Sequence, residues 1–233
     1  MRVALCFFLL IGIHPIFSQE NTNSEETPKI KIDSLYREDQ FYFSFALNTL
    51  QNKPAGLTQD KFSAGFSAGF LRDFPINKNR TIAIAPGIGF AYNNFHQNLK
   101  IAGTNEVPLY SIIESDMDFD RNRFSQLLVE MPIELRWRTS TYASHKFWRV
   151  YAGFKVGYLL YDKSVYADST SKIVVNNNKD FNKLQYGAYF SAGYNSINIF
   201  AYYGLNTLFQ NAKTSTATID MNALNVGIMF YIL

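Results

Sequence analysis

The chain has 233 residues, of which 47% are hydrophobic, 18% charged and 16% aromatic, and its formal net charge is +3. A mean hydropathy of −0.11, together with the lack of an apolar run of about 18 residues, excludes a bundle of membrane-spanning helices. The 21 Phe and 15 Tyr residues exclude a disordered or collagen-like chain. One folded β-rich domain remains, either soluble or closed as a barrel in a membrane.

Residues 1–18 have the pattern of a secretory signal peptide. Arg2 precedes an apolar stretch that runs to Ile13, and Ser18 stands at the expected cleavage point. The one cysteine of the sequence, Cys6, lies in this segment, so the mature protein has no thiol for a disulfide, a metal site or a nucleophile. The small net charge and the export signal argue against nucleic acid as a partner.

Behind the signal, residues 19–39 are polar and are predicted to form a flexible lead-in on the periplasmic side, followed by a barrel over residues 40–233. In the barrel region, apolar and polar residues alternate with a period of two between clusters of turn-forming residues, which is the pattern of β-strands. This alternation predicts eight strands, at residues 40–49, 62–72, 80–92, 123–138, 147–162, 183–195, 197–209 and 221–233.

The connections between the predicted strands alternate in length. Short connections follow the second, fourth and sixth strands, whereas the longest one runs from Asn93 to Asn122. Outer-membrane barrels show this asymmetry, with short periplasmic turns and longer extracellular loops. The predicted fold is therefore an all-β, eight-stranded, antiparallel, up-and-down barrel in the outer membrane, with both termini on the periplasmic side.

Residues i and i+2 share a face of a strand, so each segment divides into two faces. One face is uncharged and rich in aromatic and aliphatic residues, and it is predicted to contact outer-membrane lipid. Aromatic residues near the strand ends would lie at the two membrane interfaces, namely Tyr92, Trp137, Trp148, Tyr158 and Tyr194. A soluble sandwich or lipocalin-like barrel fits less well, because its small core would have to hold all of these rings.

The opposite face is polar and contains ten of the 13 glycines: Gly65, Gly69, Gly87, Gly89, Gly153, Gly157, Gly187, Gly193, Gly204 and Gly227. Glycine normally weakens a strand. Its concentration on one face therefore indicates a crowded barrel interior, in which small residues make room for Tyr, Arg and Lys.

Six charged residues fall on the interior face of the fourth and fifth predicted strands: Glu130, Glu134, Arg136, Arg138, Arg149 and Lys155. We expect Glu130 to lie opposite Lys155. Glu134 is expected to lie diagonal to Arg149 and next to Arg136. Mutual neutralisation inside a narrow barrel is the favoured interpretation, because unpaired ions there are costly. A polar conduit or a ligand site is the alternative, although eight strands leave little room for a pore.

No set of residues predicts a catalytic, cofactor-binding or metal site. The run from Asp116 to Asp120 has the spacing that opens a calcium loop, but Arg121 stands in place of the required glycine and Leu127 in place of the bidentate glutamate. A solvated strand extension is the better interpretation, with weak binding of divalent ions as the alternative. His96 alone could serve as the rim histidine of a lipid-modifying enzyme, since His145 is predicted on the other side of the membrane.

Two neighbouring stretches carry a resemblance to a known family. The first contains the pattern Glu-x-Pro-x-Glu-x-Arg-x-Arg over residues 130–138, and the second runs from Lys146 to Tyr158. Together they resemble the PorT (SprT) outer-membrane proteins of Bacteroidota, most sharply over residues 123–164. The resemblance implies a non-enzymatic component or accessory of type IX protein secretion that is not the cargo channel, and, in gliding relatives, a role in the delivery of surface adhesins.

The same resemblance implies other type IX secretion components as partners and supplies no catalytic or cofactor-binding residues. The C-terminal strand, residues 224–233, resembles the signal that the barrel-assembly machinery reads during biogenesis. The alternative function is a small porin-like surface barrel. Such a barrel would bind ligands or adhere through its long extracellular loops, Asn93 to Asn122 and Lys163 to Asn182.

Overall fold

A computed structural model of the chain describes residues 38–59, 61–114, 117–139 and 147–232. These residues form twelve strands, which are β1 (Gln40–Gln51), β2 (Ala64–Leu71), β3 (Phe74–Pro75), β4 (Ile82–His96), β5 (Leu99–Gly103), β6 (Pro108–Ile112), β7 (Arg121–Arg138), β8 (Trp148–Ala167), β9 (Lys172–Asn176), β10 (Leu184–Tyr194), β11 (Ile197–Gly204) and β12 (Asn222–Ile232). Within these ranges no helix is long and apolar enough to cross a membrane.

Eight of the strands close into an antiparallel barrel in the order β1, β2, β4, β7, β8, β10, β11 and β12, and the pairing of β12 with β1 completes the ring. This confirms the predicted fold class. The predicted strand bounds agree best at the end of the barrel with short turns. At the other end β4 continues to His96 and β8 to Ala167, while β11 already ends at Gly204. The seventh predicted strand, 197–209, was therefore too long.

The long connections fold into a structured layer at one end of the barrel. β5 pairs with β6 as a hairpin, and β9 pairs with the extended end of β8. We call the long connections together the loop head, which comprises residues 52–59, 61–63, 97–114, 117–120, 168–183 and 205–221. Its hydrophobic cluster joins loop residues such as Phe181 and Phe209, whose rings stack at 4.3 Å, to interior residues of the strands such as Leu128 and Leu159. Apolar side chains thus fill this mouth of the barrel.

The outer wall of the barrel is apolar and exposed. Along β1 the exposed fractions of Phe41, Phe43 and Phe45 are 55%, 47% and 42%, while the alternate residues point inward and are buried. The same pattern recurs on the other barrel strands, for example at Phe66, Ile88, Phe90, Met131, Ile133, Leu135, Trp137, Phe154, Phe190, Ile199 and Ile228. A soluble protein rarely exposes an apolar surface of this extent. The apolar face therefore lies outside the barrel, which contradicts a lipocalin-like arrangement with an apolar interior.

One bulge affects which side chains of β8 point outward. Leu127 of β7 pairs with Tyr161 and Leu128 pairs with Leu159, so Leu160 is the extra residue. Leu160 and Tyr161 are both exposed on the outside of the wall. Beyond this bulge, residues 163, 165 and 167 of β8 share the outer face with Tyr161.

Candidate functional site

The six interior charges of β7 and β8 all lie inside the barrel. Glu130, Glu134, Arg136, Arg138 and Arg149 are each at most 5% exposed. The side chain of Lys155 is 14% exposed. They form two groups: one pair halfway along the barrel, and a larger network at the mouth with short turns.

Glu130 and Lys155 form the pair halfway along the barrel. The Lys155 Nζ lies 3.0 Å from Glu130 Oε1 and 4.6 Å from the centre of the Tyr202 ring. The two residues are diagonal, because Glu130 is opposite Gly157 and Lys155 is opposite Pro132. The expectation that Glu130 lies directly opposite Lys155 was thus wrong by two residues. A shift of two residues leaves every side chain on the same face, so alternation along the sequence does not reveal it.

Two arginines share carboxylates at the mouth with short turns. Arg136 Nη1 is 3.1 Å from Asp73 Oδ1, and Arg138 Nη2 is 2.8 Å from Asp73 Oδ2. Arg138 Nη1 also lies 3.4 Å from Glu38 Oε2, while Arg136 donates to the Glu38 carbonyl oxygen at 3.2 Å. Arg138, Arg136, Asp73 and Glu38 are all fully buried, so these ion pairs are shielded from water.

Glu134 connects this network to the far side of the barrel. Its Oε2 accepts from Arg136 Nε at 2.7 Å, and its Oε1 accepts from the hydroxyls of Tyr189 at 2.7 Å and Tyr231 at 2.8 Å. Those tyrosines belong to β10 and β12, so the contacts cross the interior. The expected diagonal position relative to Arg149 is wrong, because Glu134 is opposite Gly153 and Arg149 is opposite Arg138. Neither Nε nor Nη1 of Arg149 has a hydrogen-bond partner among the described residues.

Sequence reasoning missed two members of the network, Glu38 and Asp73. Asp73 was assigned to a short turn and Glu38 to the flexible lead-in, residues 19–39. Glu38 is instead buried against Arg138, and Asp39 accepts the backbone N–H of Asp73 at 2.8 Å. The prediction of a flexible lead-in thus fails at its last two residues, because the barrel mouth binds them. The rest of the predicted lead-in and the predicted signal peptide lie outside the described residues.

The interior glycines leave space for tyrosine rings. An added Cβ at Gly153 would come within 3.0 Å of Tyr189, and one at Gly187 within 3.0 Å of Tyr202. Gly69 and Gly89 leave room for Tyr42 in the same way. Three cavities in the described part of the barrel interior have volumes of about 10 Å³ each. Each of these cavities holds about one water molecule, so none of the three is a conduit.

The loop head carries a much larger cleft, with a volume of about 860 Å³. Its walls combine apolar side chains, including Ile112, Met117 and Phe119, with the charged residues Lys61 and Asp118. The described residues contain no group of three His, Asp or Glu side chains that could hold a metal ion. Asp116, part of the calcium-like run in the sequence, lies outside the described ranges.

Residues 17–210 match the family described as outer membrane protein beta-barrel domain. The chain belongs to this outer membrane β-barrel family. No curated protein sequence matches the chain. Among solved structures, Ail, the attachment invasion locus protein of Yersinia pestis, is similar over 83% of this chain and 97% of its own, at 13% identity and a TM-score of 0.42. A porin mutant from Rh. blastica covers 84% of this chain and 100% of its own, at 8% identity and a TM-score of 0.20. Neither likeness is strong enough to assign a function.

Membership in the outer membrane β-barrel family places the apolar wall in the lipid of the outer membrane. The short turns then face the periplasm and the loop head faces the exterior. Exposed aromatic residues stand at both edges of the apolar band. Trp148 and Tyr194 pack together at 5.5 Å near the periplasmic edge, while Tyr92 and Tyr161 lie near the outer edge.

His96 lies beyond the outer edge of the band, at the end of β4. Burial lowers its pKa below the ordinary value of 6.5, and the nearby charges of Arg123, Lys61 and Arg121 lower it further. The imidazole is therefore neutral at pH 7. His145, which the sequence predicts on the other side of the membrane, lies outside the described residues.

We expect NMR titration of the folded barrel to find the pKa of His96 below 6.5. Arg123→Gln should raise this pKa toward its ordinary value, because the substitution removes a positive charge that disfavours the imidazolium. Lys213→Gln, in the last long connection, is the matched control and should leave the pKa of His96 unchanged. A pKa that is the same in the Arg123 variant and the wild type would contradict the electrostatic explanation.

Proposed function

We propose that this outer-membrane barrel is a sealed, non-enzymatic component or accessory of type IX protein secretion and does not conduct cargo. The observation that carries the proposal is closure at both ends. The Arg136 and Arg138 network fills the periplasmic mouth, and the apolar cluster of the loop head fills the outer mouth. A barrel of this kind offers its wall and its ends to partners but gives them no passage.

The residues that carry the PorT resemblance also fix the start of the barrel. Arg138 and Arg136, from the Glu-x-Pro-x-Glu-x-Arg-x-Arg pattern, bind Glu38, which lies two residues before the start of β1. The polar lead-in is therefore joined to the barrel at a rigid point. This attachment suits a segment that docks periplasmic secretion components. The barrel-assembly machinery would be a further partner, met during biogenesis through β12.

The decisive experiment is deletion of the gene in the native bacterium. We expect type IX cargo to accumulate in the periplasm and a wild-type copy to restore its secretion. Met117→Ser with Phe119→Ser, in the cleft of the loop head, is the matched variant and should also restore secretion. Normal secretion in the deletion strain would overturn the proposal, and altered lipid A in a His96→Ala strain would overturn its non-enzymatic part.

A second function, ligand binding at the cell surface, is favoured by the cleft of about 860 Å³ in the loop head. Its apolar and charged lining is typical of a binding site. The deletion strain and the strain that carries the Met117 and Phe119 double variant separate the two functions. Loss of surface adhesion in the Met117 and Phe119 double variant, combined with normal secretion in the deletion strain, would establish the surface role instead.

A further inference from the structure

Three strands of the barrel wall continue beyond the outer edge of the apolar band and form a small sheet together with β9 of the loop head. We call this sheet the wing; it consists of residues 93–96 of β4, 121–126 of β7, 162–167 of β8 and all of β9. The pairings run without interruption from β4 through β7 and β8 to β9. One face of the wing continues the lipid-facing wall, and the other faces the rest of the loop head.

The face that continues the lipid-facing wall is basic. Directly opposed residues share a face, so the outer face can be followed row by row from Leu127, which pairs with Tyr161. The next row contains Lys163, and the row after it contains Arg123 opposite Val165. The outermost row contains Arg121, and Lys172 of β9 occupies the same level.

No carboxylate interrupts this basic face. Its members in the wing are Asn94, His96, Arg121, Arg123, Ser125, Lys163, Val165, Ala167, Lys172, Val174 and Asn176. The one acidic residue within the wing strands, Asp162, points to the other side, where it is fully buried and accepts the backbone N–H of Asn178 at 2.9 Å. Arg121, Arg123, Lys163 and Lys172 form no ion pair with any described residue.

The height of the basic residues above the membrane edge can be estimated from strand geometry. A strand rises about 3.4 Å per residue and tilts by about 40° in such barrels. Lys163 therefore lies roughly 5 Å above Tyr161, and Arg123 lies roughly 10 Å above Leu127. The headgroup layer on each side of a bilayer is about 5–8 Å thick. The Lys163 row thus stands at the level of the lipid headgroups, and the Arg123 row stands just above that level, from where the long arginine side chain can reach down to the headgroups.

We propose that the outer face of the wing binds the phosphate groups of lipid headgroups in the outer leaflet, with Arg123 and Lys163 as the central contacts. Guanidinium and ammonium groups are the usual protein partners of phosphate. A lipid phosphate supplies the negative charge that the described residues do not provide on this face. Because the face points along the membrane plane, a lipid reaches it more directly than a soluble polyanion does. This inference does not depend on the proposed role in secretion.

The test compares two triple variants of the folded full-length barrel in detergent. Arg121→Gln, Arg123→Gln and Lys163→Gln together remove charge from the wing. Lys53→Gln, Lys179→Gln and Lys213→Gln, which lie at exposed positions of the loop head, remove the same charge elsewhere. Mixed micelles with bisphosphorylated lipid A, or with its dephosphorylated form, are titrated into each protein, and a heat-dependent gel shift verifies that each variant is folded.

We expect the wing variant to bind bisphosphorylated lipid A at least about tenfold more weakly than the wild type, since each lost cation weakens an interfacial charge interaction. The loop-head variant should bind like the wild type. Dephosphorylated lipid A should bind all three proteins alike. Equal binding of the phosphorylated lipid by the wing variant and the wild type would overturn the proposal. The proposal would also fail if the wing variant bound lipid A like the wild type and lost only the binding of a soluble acidic polysaccharide.

Discussion

Replacing Glu134 by Ala is expected to lower the free energy of unfolding of the barrel by about 3–5 kcal/mol, as the loss of one partner from a buried ion network does. Glu134 accepts three hydrogen bonds, from Arg136, Tyr189 and Tyr231, and is 1% exposed. Without it, two tyrosine hydroxyls lose their acceptor, and Arg136 keeps only Asp73 as a carboxylate partner. Reversible unfolding by urea in lipid vesicles measures the change.

The matched control is Glu130→Ala, which breaks the pair with Lys155. This pair is less completely buried, and we expect a smaller loss because water can solvate the lysine that remains. Glu134→Gln should fall between the two, since it keeps an acceptor but removes the charge. Equal losses for Glu130→Ala and Glu134→Ala would contradict the central role assigned to Glu134.

The charge balance of the interior shows what the sequence contained and what was overlooked. The six predicted interior residues comprise four cations and two carboxylates, which is an excess of two positive charges in a site where uncompensated charge is costly. Glu38 and Asp73 supply the two missing carboxylates. The excess alone could have prompted a search for two acidic residues near the periplasmic strand ends. Alternation did not find them, because neither residue lies within a barrel strand.

The barrel itself was predictable because its faces differ so strongly. Lipid on one side and a packed polar interior on the other impose a period of two on each strand, and a slip of one residue would place Glu134 in the lipid. A slip of two residues has no such cost, and this is the error that was made for Glu130 and Lys155. Register of that kind is set by the connection between the two strands, which sequence alternation does not record; the bulge at Leu160 lies beyond Glu130 and does not affect it.

The loop head was not predictable by the same reasoning. β5, β6 and β9 are five residues long each, which is too short for a clear period. Phe181 lies in a predicted polar connection and Phe209 at the end of the seventh predicted strand, 197–209, so the sequence pattern does not link them. They belong to one cluster because the ends of strands distant in sequence meet at the barrel mouth. Long-range contacts of this kind leave no local pattern.

Gly227→Val is expected to destabilise the barrel by roughly 3 kcal/mol or more, which is the upper range for overpacking a well-packed site. Gly227 lies in β12, opposite Ala46 of β1, at the seam that closes the ring. An added Cβ there would come within 3.0 Å of the Phe45 carbonyl oxygen and the Ala46 Cα. These are backbone atoms of the neighbouring strand, so the clash is relieved only if the two strands separate.

The control substitution, Gly157→Val, adds the same side chain to the same interior surface without this conflict. The nearest atom to its added Cβ is Leu128 Cδ2 at 3.1 Å, the end of a side chain that can rotate away. We therefore expect Gly157→Val to retain the compact form on an unheated gel and Gly227→Val to lose it. If both variants fold equally well, close packing between β1 and β12 at Gly227 is not required for the barrel to close. Failure of Gly157→Val alone would mean that interior volume, and not the seam, determines which glycines are required.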